Sequence, residues 1–125
     1  MDHSELANRW IALQHADSAA LNYDEHIHAY DEVDSLLDSD PAGGWDFVMT
    51  VLTRAEGDFI LGNLAAGPVE DLLMRHPNIT VERIERDVAA NPRLAWMLHG
   101  VWQNALEPAL WDRVVAARES HGSVA

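Results

Sequence analysis

Apolar residues recur at helical spacing along almost the whole chain, and the recurrence is broken at short intervals by proline. Asp40-Pro41, Gly67-Pro68, Asn91-Pro92 and Glu107-Pro108 each place a proline directly after a capping, helix-ending or acidic residue. Proline has no N–H and a fixed φ, so it suits the first turn of a helix and disrupts the interior. Each pair therefore reads as the end of one helix and the start of the next.

Between these marks the apolar faces are short. Ser4 is a plausible N-cap for a helix over 4–15, with Leu6, Trp10 and Leu13 on one side. Over 23–38, Tyr23, Ile27, Tyr30, Val33 and Leu37 fall in one stripe. Asp34 falls inside that stripe, which predicts partial burial and a partner that is either a backbone N–H or an Arg, such as one from the C-terminal half. Asp40 caps a helix with Trp45, Val48, Met49 and Leu52 as its apolar side, and Gly57 reads as its left-handed end. Asp58 then caps a short helix with Phe59, Ile60 and Leu64, and Val69, Leu72 and Leu73 serve the next. His76-Pro77-Asn78 reads as a loop, Thr80 as an N-cap, and Ile79 with Ile84 as a hydrophobic staple. Leu94, Met97 and Leu98, then Leu110, Trp111, Val114 and Val115, complete the pattern. No alternation of period two marks a strand. The fold expected is all-α: roughly seven short helices packed as antiparallel hairpins in a compact, solenoid-like bundle. One domain is expected over residues 1–118, with a frayed tail over 119–125.

Charge narrows the function. There are 21 acidic residues against 8 basic ones, every base is Arg, and the net charge is −13. Binding of nucleic acid through its phosphates needs a basic surface, so direct nucleic-acid binding is not expected. The same charge disfavours anionic membranes and speeds encounter with a basic partner. The absence of Cys removes disulfides, thiol nucleophiles and thiolate metal sites together. The opening Met-Asp-His-Ser-Glu-Leu lacks the basic and apolar stretches of a signal peptide, and no apolar run is long enough to span a bilayer. A cytoplasmic location is expected.

Two strings carry a resemblance. Leu64-Ala65-Ala66-Gly67-Pro68-Val69-Glu70-Asp71-Leu72-Leu73 and Gly100-Val101-Trp102-Gln103-Asn104 combine with Asp40-Pro41, Trp45, Asn91-Pro92 and Trp111. Together they resemble a bacterial family of small helical proteins classed as a domain of unknown function, over residues 30–116. The resemblance implies an all-α fold and brings no catalytic residues with it. Physically, the small residues of the first string suit close backbone approach, and Glu70 or Asp71 suits a helix N-terminus. In the second, Gly100 reads as a helix end and Trp102 as a core anchor. Gln103 and Asn104 have no obvious capping task, so this loop is also a candidate contact surface.

The segment richest in reactive groups is Tyr23 to Glu32. On a helix, His28 has Asp24 and Glu25 one turn before it and Asp31 and Glu32 one turn after. One reading is a divalent-metal site of Asp24, His28, Asp31 and Glu32. Another is a solvated acidic face on which His28 relieves carboxylate repulsion. A third makes Asp24, Glu25, His28, Asp31 and Glu32 a docking face for a basic protein. The motifs of hydrolases, P-loops, zinc proteases and dinucleotide sites are missing, so no catalytic residue and no cofactor is assigned. The expected function is a non-enzymatic acidic interaction protein of the immunity-protein or inhibitor type, with Trp102, Gln103 and Asn104 as further contact residues. A metal-dependent protein centred on His28 and a homodimeric structural module are the alternatives.

Overall fold

The computed structural model describes residues 3–15 and 23–122, and among them it contains helices and loops but no strand. The elements are α1 (His3–His15), α2 (Tyr23–Ser39), α3 (Pro41–Arg54), α4 (Asp58–Leu64), a π-helical turn (Ala65–Val69), α5 (Glu70–Arg75), α6 (Pro77–Val88), α7 (Pro92–Leu98) and α8 (Pro108–Gly122). The protein is all-α, as the apolar spacing requires. Because α4, the π turn and α5 run on without a break, the described residues form seven continuous helical stretches.

Local signals placed several ends correctly. Asp40 Oδ1 accepts the Gly43 N–H at 3.0 Å, and Asn91 Oδ1 accepts the Leu94 N–H at 3.2 Å. In both cases a short polar side chain satisfies a donor that the first turn leaves free, and proline occupies the next position.

Elsewhere the packing overrode the local reading. Gly67-Pro68 does not stop a helix. The Glu70 N–H reaches back five residues to Ala65 O, and the wider π turn gives the Pro68 ring room that an α turn denies it. With no new helix starting there, Glu70 and Asp71 have no N-terminus to cap. Thr80 is not an N-cap either, because α6 already begins at Pro77. Its hydroxyl lies within 2.6 Å of His76 O and 3.1 Å of Leu72 O, so this buried residue ties α6 back to the end of α5. The third helix ends at Arg54, and Gly57, with φ of +85°, precedes α4 without any side-chain cap from Asp58.

The core gathers around α3, whose Trp45, Phe47, Val48, Val51 and Leu52 are buried. This helix touches α1, α2, α4, α5 and α6, while α2 also touches α5. Such contacts reach beyond the neighbour-only stacking of a solenoid. Gly44 allows the close approach: a Cβ there would lie 3.0 Å from Leu37 Cδ2 and 3.2 Å from Leu72 Cδ2. Trp10 meets Phe47 edge to face at 6.3 Å, fixing α1 against α3. The Trp45 indole N–H donates to Asp87 Oδ2 at 2.7 Å, which satisfies the polar edge of a buried ring.

Candidate functional site

The exposed side of α2 is acidic. His28, Asp31, Glu32 and Ser35 border one shallow depression of about 340 Å³ on this helix. Asp31, Glu32, Asp34 and Asp38 are all exposed. The side chains of Asp24 and Glu25, and of Tyr23 and Ile27 in the expected apolar stripe, lie outside the described residues. Among the described residues no three His, Asp or Glu groups are placed to hold a metal ion.

Asp34 is not buried. The buried arc of α2 is Ala29, Val33 and Leu37, centred on Val33, and at about 100° per residue Asp34 stands roughly 100° from that centre. Its Arg partner is nevertheless present in the C-terminal half. Arg75 Nη2 donates to Asp34 Oδ1 at 2.6 Å and Arg75 Nη1 to Asp34 O at 3.2 Å. The hydrogen bond to Asp34 raises the Arg75 pKa further above its ordinary value, against a smaller opposing effect of desolvation.

Beside this face lies a groove of about 610 Å³ between α1, α2 and the helical run through the π turn. Its size falls within the range of ordinary ligand pockets, roughly 300–1,000 Å³. Trp10, Val33, Leu37 and Pro68 supply apolar wall, and Asp31, Asp34 and Asp71 bring carboxylates to it. Three helices are joined along it by one hydrogen-bonded chain. Asn63 Nδ2 of α4 donates to Gln14 Oε1 of α1 at 3.0 Å, and Gln14 Nε2 donates to the Tyr30 hydroxyl of α2 at 3.2 Å. Tyr30 remains 40% exposed. The chain holds its members at fixed separation, so the groove is a built feature of the fold.

Nothing in the sequence reading pointed to Asn63 or Gln14. The available signal was Gln14 itself, a polar residue about 40° from Trp10 on the apolar arc of α1.

The opposite side of the π turn carries the second candidate surface. Gly100 packs there, since a Cβ on it would meet the Ala65 Cβ at 3.1 Å. Glu70 then organises the following loop: its carboxylate accepts the Trp102 N–H at 3.3 Å and an amide N–H of Asn104. Asn104 adopts a φ of +51°, a left-handed conformation that Asn tolerates better than most residues. Gln103 Nε2 donates to Leu106 O at 3.1 Å, closing the loop on itself. Both loop amides therefore have structural tasks that the sequence did not reveal. Trp102 is not the expected core anchor; Val101 is buried instead, and Trp102 stands 74% exposed. Thus the two recognised strings meet through Glu70. The loop and the α2 residues remain on separate surfaces, because Asp71 borders the groove while its neighbour Glu70 holds the loop.

These features define a small all-α protein with an acidic helical face, a groove beside it, and a loop presenting a tryptophan. The chain belongs to a family of unknown function, DUF6869, which it matches over residues 16–122. No curated protein matches it, and no solved structure does. None of the described helices is long and apolar enough to cross a membrane.

Proposed function

We propose that the protein is a non-enzymatic binding protein that presents the acidic face of α2 to a basic protein partner, in the manner of an immunity protein or inhibitor. One observation carries this reading: the acidity is segregated. Residues 10–53 contain no Lys or Arg; Asp31, Glu32, Asp34 and Asp38 of α2 are exposed, and Arg75, from outside that segment, meets Asp34 and Asp38. A surface of one sign raises the local concentration of an oppositely charged partner and steers its approach. Charge placed only for solubility has no need to be gathered on one helix.

The test is a titration with a nine-residue oligo-arginine peptide, followed by calorimetry from about 0.05 to 0.3 M salt. Affinity is expected to fall steeply with salt and to drop at least about tenfold in Asp31→Asn/Glu32→Gln/Asp38→Asn. The control Glu82→Gln/Glu85→Gln on α6 should lose much less. Equal losses in the two variants, or binding indifferent to salt, would refute an acidic recognition face.

A further inference from the structure

We infer that the groove between α1, α2 and the π turn is the specific seat of one arginine side chain of that partner; the inference rests on the binding reading above and names its recognition site. Three features of the groove converge on a guanidinium. First, its carboxylates are in excess. Asp34 is engaged by Arg75, whereas no ion pair joins Asp31 or Asp71 within 4.0 Å among the described residues, so the groove keeps a net negative charge. Second, Tyr30 offers exposed aromatic surface beside those carboxylates. A guanidinium is planar and weakly hydrated, so it stacks on a ring while its edge donates hydrogen bonds, which an ammonium does less well. Third, the groove is preorganised. The Asn63–Gln14–Tyr30 chain fixes the ring before any ligand arrives, which lowers the entropy lost on binding.

The fold already shows the chemistry once, since Arg75 approaches Asp34 from α5 through both its carboxylate and its backbone carbonyl. An incoming arginine would repeat it one helical turn earlier on α2, at Asp31, with Asp71 across the groove.

The experiment uses the full chain and two small probes, N-acetyl-L-argininamide and its uncharged citrulline counterpart, titrated into isotope-labelled protein by NMR. With the arginine probe, the side-chain amide signals of Gln14 and Asn63 and the indole signal of Trp10 should move together. The citrulline probe should bind at least about tenfold more weakly. Asp31→Asn and Asp71→Asn alter exposed residues and should leave the spectrum folded, each weakening the arginine probe about three- to tenfold. Tyr30→Phe keeps the ring and should weaken it less than Tyr30→Ala.

The inference is overturned if the arginine probe moves signals across α2 while leaving Gln14, Asn63 and Trp10 still, or if citrulline binds equally well. In that event oligo-arginine would still bind with the salt dependence described above, and the acidic-face reading would survive. Should oligo-arginine itself show no salt-dependent binding, the broader reading fails with it.

Discussion

Helices α2 and α6 are both rich in charge, and they use it in opposite ways. On α6, Glu85 pairs with Arg113 of α8, and Asp87 takes two hydrogen bonds from Arg86 while also receiving the Trp45 indole N–H. These partners lower both carboxyl pKa values: for Glu85 chiefly the Arg113 bond, for Asp87 chiefly the Arg86 bond, with Trp45 adding to it. The six acids of α2 have no basic residue but histidine on their own helix. Glu85 and Asp87 of α6 are paired within the fold, whereas Asp31 and Glu32 of α2 are exposed and join no ion pair among the described residues. The difference begins in composition, since α2 carries six acids and no Arg while α6 sets three acids beside two Arg of its own. It is completed by packing, since Arg113 of α8 reaches Glu85.

The largest effect that would test this contrast is expected at Asp87. Asp87→Ala leaves the buried Trp45 N–H without its acceptor and frees Arg86, which should cost about 2–3 kcal/mol in urea unfolding. A loss below about 0.5 kcal/mol would mean that α6 charge is not structural. The pH dependence follows in sign. Because the folded pKa values of Glu85 and Asp87 are depressed, their stabilisation is full above the ordinary carboxylate pKa and disappears as pH falls through the folded values. Glu85→Gln/Asp87→Asn should therefore flatten the acid limb of the stability curve measured by urea unfolding across pH.

Smaller changes are expected on α2. Asp34→Asn removes the pair with Arg75, but Asp34 is well exposed, so thermal unfolding should register only about 0–1 kcal/mol. Smallest is Asp31→Arg, which replaces like charge with opposite charge one turn from Asp34. It should stabilise the helix by a few tenths of a kcal/mol while weakening oligo-arginine binding. Stability and binding moving in the same direction at this position would remove the distinction between the two helices.

Much of the architecture was legible because its determinants are local. Asp40 reaches Gly43 and Asn91 reaches Leu94, three residues on in each case, so capping chemistry alone placed α3 and α7. The acidic face of α2 was legible too, since composition and helical period suffice to describe it. The groove was not. Asn63 meets Gln14 across 49 positions and Gln14 meets Tyr30 across 16, distances in sequence over which no periodicity speaks. Asp34 shows the same limit from another side: an Arg was among its expected partners, but its burial was misjudged because the arc of α2 that turns inward is chosen by α1, α3 and α5.

The amino-acid order by itself determined the helical class, most helix starts and the uneven charge, because each depends on groups within about a turn of one another. Tertiary structure decided that the chain continues through Pro68 as a π turn, that Glu70 holds the Trp102 loop instead of capping a helix, and that three helices enclose a groove beside Tyr30. Packing energy gathers over many contacts and exceeds the roughly one kcal/mol of a local preference, so wherever the two disagreed, the packing prevailed.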